Sequence, residues 1–299
     1  MATKDLAAQD VPVDDLTAAI RVAVPERSVR HDLRAVSIVW RRELIRFRTD
    51  RLRAITSLVQ PVLFLFVLGT GLSRLASRGL PAGVDFKTFI YPGVLAMSVL
   101  FTAIFSAASI VWDREFGFLR EMLVAPVRRW AIVLGKCLGG ATVATFQGII
   151  FLALAGVAGV PYDPLLLLTL VGEMLLLSFT LTAFGVMMAA RIKQIQAFMA
   201  LTQLFVLPLF FLSGALYPLN GLPAWLTVLT RIDPLSYIVD PMRHAVFSHL
   251  KVNVQALTSL SPGITWDGWE VPIGLSVGIV AVMGLAMLTI AIAEFRKTE

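Results

Sequence analysis

From Ala54 onward the chain is written in long apolar runs separated by short polar connectors, without the alternation of period two that a barrel strand requires. Six runs approach or exceed the roughly 20 helical residues needed to cross a hydrocarbon core of about 30 Å. They lie at about 54–73, 88–112, 134–159, 164–190, 195–216 and 271–293. Hydrocarbon cannot satisfy backbone polar groups, so each run is predicted to be a helix that bonds itself. The expected fold is therefore an all-α polytopic membrane protein with six transmembrane helices, formed by residues 54–299.

Two segments depart from this pattern. Between His31 and Arg48, Leu33, Val36, Trp40, Leu44 and Phe47 recur at helical spacing, while Arg34, Arg41, Arg42, Arg46 and Arg48 take the remaining surface. This predicts an N-terminal amphipathic interfacial helix within 31–53, its apolar side in the headgroup boundary and its arginines toward anionic lipid or a cytoplasmic partner. A plain positive-inside anchor accounts for the same residues. Residues 1–30, acidic and proline-containing, are expected to form a mobile cytoplasmic tail. Between spans five and six, Ser213 to Phe247 is too apolar for an ordinary loop, and Pro218, Pro223, Pro234 and Pro241 divide it into pieces too short to cross. Re-entrant external helices are expected there, serving as a gate or as a packed cap.

Composition strengthens the membrane reading. Of 299 residues, 57% are hydrophobic and 15% charged, with a mean hydropathy of +0.80. Of the 26 Lys and Arg residues, 20 fall on the side of the termini, the second-to-third connector and the fourth-to-fifth connector, and 6 on the other. Both termini and the Val111 to Lys136 connector are therefore expected in the cytoplasm, in a multi-pass protein of the plasma (inner) membrane. No secretory signal is expected, and no basic patch interleaved with aromatics suggests nucleic acid. Cys137 stands alone, so no intramolecular disulfide forms.

Catalytic chemistry finds little support. Gly135-Lys136 suggests a phosphate loop, but Trp130 stands where its first glycine belongs and Cys137 where Ser or Thr should follow. His31, His244 and His249 do not form a metal-ligand spacing, and Ser213-Gly214 lacks the flanking glycines and base of a hydrolase. Glu173 is the one carboxylate inside a predicted span, close to the midplane, with no Lys, Arg or His at that depth expected to pair with it. It reads either as a proton relay or substrate contact, or as a neutral, hydrogen-bonded group. Phe101 and Phe105, four apart on span two, and Phe198, Gln203 and Phe205 on span five are candidates for a pathway, or else ordinary packing and lipid contacts.

The most informative stretch is the connector DREFGFLREMLVAPVRRWAIVLGK, whose charges lie between two apolar runs. Together with YPGVLAMSVLFTAIFSAASIVW before it, VWRRELIRFRTDRLRAITSLVQPVLFLFVLGTGL near the start and LSGALYPLNGLPAWLTVLTRIDPLSYIVDPMRHA after span five, it resembles the type 2 ABC exporter permeases, closest to the daunorubicin-resistance and nodulation-factor export branch. The resemblance covers nearly everything from Leu33 to the last span. It implies a homodimer seated on two copies of a separate cytoplasmic ABC ATPase, with ATP and Mg bound there and no cofactor on this chain. It also implies a coupling helix at Arg114, Glu115, Phe116, Gly117, Leu119, Arg120 and Glu121, and spans two and five lining a central route at the dimer interface. The implied activity is alternating-access export of an amphiphilic drug, natural product or lipid-linked molecule. Export of a polysaccharide or cell-wall glycolipid, and an ion-coupled carrier using Glu173, are the alternatives.

Overall fold

The structure is a computed structural model that describes residues 28–73, 84–118, 127–219, 222–250, 263–266 and 268–297. The expected tail thus lies almost wholly outside the described residues.

Helix α1 (Val29–Thr49) begins where the Ser28 hydroxyl accepts from the Arg30 amide, and it carries Asp32 in its first turn and Arg46 and Arg48 in its last, matching the helix dipole. Span one is α2 (Arg51–Leu63), which holds Pro61 and opens into a π-helical turn over Phe64–Leu68 before closing at Gly69–Gly71. Span two comprises α3 (Phe86–Ser106) and α4 (Ala108–Glu115), hinged at Ala107. Span three is α5 (Arg129–Leu152) and span four α6 (Pro164–Ala189), opened by an Asp163 cap and Pro164 at its first position. Span five is α7 (Ile195–Leu212). Short helices α8 (Ala224–Ile232) and α9 (Ser236–Ser248) follow. A two-residue hairpin, β1 (Thr265–Trp266) with β2 (Trp269–Glu270), precedes span six, α10 (Ile273–Lys297). All six candidate spans are long and apolar enough to cross a membrane.

Several predicted ends move. Span three starts at Arg129 rather than 134, since a helix can begin in the polar boundary before its apolar run does. It stops at Leu152 rather than 159, where a 3-10 turn (Ala155–Ala158) and Gly159 at φ 76° reverse the chain, fastened by the Tyr162 hydroxyl to Ala153 O at 2.7 Å. Span five stops at Leu212 rather than 216, because Gly214 adopts φ 70° and turns the chain back.

Spans two, three and four form the centre, and spans one, five and six lie outside them with most of their apolar surface exposed. Lipid is as apolar as a leucine side chain, so close approach at small residues and interhelical hydrogen bonds hold such a bundle. A Cβ at Gly140 would lie 2.2 Å from Ser106 Oγ, and one at Gly284 2.6 Å from Thr180 Oγ1. Thr145 and Ser178 share a hydroxyl hydrogen bond of 2.7 Å between spans three and four. Gln147 donates to Ala54 O (3.0 Å) and Ser57 Oγ (2.9 Å), tying span one to span three.

Helix α1 buries a face turned partly away from the predicted apolar stripe, with Val36 common to both. It packs along α5 through Asp32, Val36, Val39 and Glu43, while Leu33 is 57% exposed. This packing is possible because α5 offers Gly135 and Gly139 four apart: a Cβ there would lie 2.8 Å from Val39 Cβ and 2.6 Å from Glu43 Cβ respectively. The glycine of the rejected phosphate loop is one half of this seam.

Candidate functional site

One end of the bundle collects the charges. Lys136 of α5 is 3% exposed at its side chain, and its ammonium donates to Glu43 Oε1 (2.6 Å), Asp113 Oδ2 (2.8 Å) and Ser109 Oγ (3.0 Å). Arg42 closes the group on Asp113 Oδ1 at 2.5 Å. Two cations thus meet two anions, and a buried charge cluster of this kind is tolerable because it is neutral and richly hydrogen-bonded. Further ties surround it: Trp40 Nε1 donates to Thr142 Oγ1 (3.1 Å), and Asp32 accepts from the Arg128 amide (3.1 Å). Arg46 stacks over the Trp112 ring at 4.9 Å, whereas Arg41 is exposed. Of the predicted interfacial set, then, Trp40, Arg42 and Arg46 engage the chain itself.

The cluster abuts the connector after span two. Arg114 reaches across to the turn between spans four and five, donating to the carbonyls of Ala189 (3.0 Å), Ala190 (3.0 Å) and Ile192 (2.5 Å). Glu115 accepts from the Ile195 amide at 3.0 Å and so caps α7. Gly117, at φ 83°, turns the chain and leaves Phe116 70% and Phe118 54% exposed. Leu119, Arg120 and Glu121 lie outside the described residues. At the same end, Arg191 clasps Glu294 through two hydrogen bonds of 2.8 Å, and Arg129 bonds the Phe295 carbonyl at 2.7 Å. Among the described residues of the connector, Phe116 and Phe118 are thus exposed apolar side chains, while Arg114 and Glu115 bond the turn between spans four and five.

Beside the cluster lies a cavity of about 410 Å³ between α1 and spans one, two, three and five. Three of the five predicted pathway residues, Phe101, Phe105 and Gln203, line it. The two phenylalanine rings stack nearly parallel, 6.3 Å apart. Phe198 is instead fully buried in the core near the connector, and Phe205 packs edge-on against Phe184. Glu43, Arg46 and Asp50 form the charged end of the cavity, and Gln60, Thr102 and Ser106 add polar groups along its wall. Such a lining suits a molecule with an apolar ring system and a polar head.

Glu173 is buried on α6, away from that cavity, with its Oε2 lacking a hydrogen-bond partner among the described residues. The expectation that no basic side chain lies at depth fails. Lys136 is buried within span three, and Arg243 of α9 is 2% exposed because α9 folds back into the bundle against α3, α6 and α10. Sequence reasoning missed Glu43, Asp113 and Arg243 and assigned Lys136 to a failed motif. The signal was available in Lys136 and Glu43, a lysine inside an apolar run and a glutamate on an otherwise basic helix, each of which needs a partner.

Six apolar helices long enough to cross a membrane, with a cavity between spans, define a multi-pass membrane protein. Residues 34–247 match the family model described as ABC-2 type transporter, and the chain belongs to that family. It is 28% identical over 214 residues to a putative transport permease, ycf38, of Cyanophora paradoxa, covering 71% of this chain and 73% of that one. It is 30% identical over 222 residues to nodulation protein J of Rhizobium leguminosarum bv. trifolii, covering 72% and 82%. It is 33% identical over 160 residues to the probable multidrug ABC transporter permease YbhR of Escherichia coli K12, covering 52% and 43%.

Proposed function

We propose that this chain is the membrane subunit of an ATP-driven exporter. Two copies sit on two copies of a separate cytoplasmic ABC ATPase, which binds ATP and Mg, and together they move an amphiphilic drug, natural product or lipid-linked molecule outward. Both termini then face the cytoplasm of a cell with this protein in its plasma membrane, a reading supported by the concentration of Lys and Arg on that side. The observation that carries the reading is the connector. Its described first part offers Phe116 and Phe118 to a partner, while Arg114 and Glu115 fasten its base to the turn between spans four and five. A push there is thereby delivered to spans two, four and five together. The cavity at Phe101, Phe105 and Gln203 supports an amphiphilic cargo, and its position beside α1 suits loading from the inner leaflet.

The test is copurification of this chain with the ABC ATPase encoded beside it, comparing wild type with the double variant Phe116→Asp, Phe118→Asp and with Glu115→Arg. Docking through these two phenylalanines predicts a stable wild-type complex that the double variant abolishes. Glu115→Arg is expected to weaken coupling of hydrolysis to transport more than it weakens binding. Transport by the chain in vesicles without any ATPase would overturn the reading and return the ion-coupled carrier.

A further inference from the structure

The wall of the cavity beside the buried cluster carries a cation that the cluster does not use. Of the charged residues lining that cavity, Glu43 accepts from the Lys136 ammonium at 2.6 Å. With Arg42 and Asp113 this makes a set of two cations and two anions, so the set brings no net charge to the wall. Asp50 is exposed at the end of α1, where the exposed Arg48 and Arg51 flank it. Arg46 remains. It is half-buried, and its guanidinium has neither a hydrogen bond nor a carboxylate partner among the described residues.

What holds Arg46 is the Trp112 ring, with the guanidinium carbon 4.9 Å from its centroid. Stacking on a ring engages the flat side of a guanidinium and leaves its N–H donors, which radiate in the plane. Those donors match an oxyanion two at a time, and a partly desolvated site strengthens such a bond. Span two supplies the rest of the wall at helical spacing: Phe101, Phe105, Ser109 and Trp112 share one face, and all four line the cavity. The stacked Phe101 and Phe105 rings lie at one end of this stripe, and Trp112 with Arg46 at the other. At 1.5 Å per residue the two ends are about 10 to 16 Å apart along the helix.

We propose that this cavity takes an anionic amphiphile, its phosphate or carboxylate on the Arg46 guanidinium and its apolar ring system against Phe101 and Phe105, and that Arg46 selects cargo by head-group charge. A cationic head would meet Arg46 at close range, with Glu43 already held by Lys136. The inference rests on the exporter reading for calling the occupant a cargo; the preference for an anion is a property of this chain alone. A membrane phospholipid and a soluble amphiphile offer the same oxyanion, and the experiment separates them.

The experiment uses the full chain in phosphatidylcholine nanodiscs without any ATPase, with empty nanodiscs as the blank. The probe is pyrenedecanoate, whose chain separates carboxylate from ring system by a distance of the order of the stripe, at a mildly alkaline pH that keeps it ionised. Its methyl ester and its trimethylammonium analogue serve as the neutral and cationic counterparts. Energy transfer from tryptophan to pyrene reports saturable binding. The wild-type chain is expected to bind the carboxylate about tenfold to a hundredfold more tightly than the ester, the worth of a charge-assisted hydrogen bond. Arg46→Gln is expected to bring the carboxylate to the affinity of the ester and to leave the ester unchanged. Arg46→Lys, which keeps the charge and loses the planar fork, is expected to fall between.

Equal binding of carboxylate and ester by the wild-type chain overturns the proposal, as does carboxylate binding that Arg46→Gln leaves intact. Tighter binding of the ammonium analogue, lost in Asp50→Asn, overturns it in favour of a cationic cargo. The comparison of probes on the wild-type chain decides the matter should Arg46→Gln not fold. Displacement of the carboxylate probe by phosphatidylglycerol added to the nanodisc supports the anion site with a membrane lipid as its source, and binding that phosphatidylglycerol leaves unchanged supports it with a soluble amphiphile. A chain that discriminates the probes through Arg46 yet copurifies with no ATPase keeps the site and loses the exporter reading, so the two fail separately.

Discussion

The Lys136 ammonium lies 2.6 Å from the Glu43 carboxylate, joining residues 93 positions apart across α1 and α5, and the same ammonium holds Asp113 at the foot of span two. Three elements that the connector must move together are thus bound at one buried atom. Lys136→Met leaves the buried Glu43 and Asp113 with only the partly exposed Arg42 between them, and the expected loss is about 3–5 kcal/mol. Lys136→Met combined with Glu43→Leu keeps the Arg42–Asp113 pair balanced and is expected to recover most of that loss. Thermal unfolding of the purified chain in detergent checks both.

The contact between α1 and α5 depends on two missing side chains. Gly139→Ala places a Cβ 2.6 Å from that of Glu43, and Gly139→Leu requires the helices to part. Overpacking of this sort costs about 1–3 kcal/mol. The larger residue is also expected to detach α1, which a cysteine crosslink between α1 and α5 would report as lost.

Phe105 faces the cavity in parallel with Phe101 rather than the closely packed core. Phe105→Ala is therefore expected to lower export of an aromatic dye several-fold while leaving the melting temperature of the chain within a few degrees of wild type. Phe198→Ala, at a fully buried position outside the cavity, is expected to do the opposite, with a stability loss of about 3–5 kcal/mol.

Burial pushes the Asp233 carboxyl from its ordinary 3.8 up to about 8, against the pull of its hydrogen bonds from Leu235 and Ser236. The folded state therefore binds a proton that the unfolded state releases near pH 4. Its stabilising contribution is complete below that point and is lost progressively as pH rises toward about 8. Asp233→Asn, which keeps the acceptor oxygen, is expected to flatten this decline when unfolding is followed across the same window.

The spans were legible because hydrocarbon imposes length and apolarity on each helix independently, and the sequence pattern reports both. Which face each helix presents was not. Along α1 the pattern of arginines and leucines did not show which residues would meet α5; Gly135 and Gly139, about a hundred residues away, set that contact by letting Val39 and Glu43 approach. Arg114 and Glu115 illustrate the same limit. Their charges identified the connector, but only the fold shows that they bond the turn before α7, beside the exposed Phe116 and Phe118. Arg243 was hidden for a third reason: it sits in a segment counted as external, and α9 re-enters far enough to bury it.

The glycine seam also bears on how this protein can change over generations. Because Gly139 meets Glu43 and Gly135 meets Val39, a larger residue on one side is tolerable only with a smaller one opposite. Glu43 has the further obligation of balancing Lys136. Drift along this contact must therefore proceed in matched pairs, and lineages that lose Lys136 should be found to have lost an acidic residue at position 43 or 113 with it.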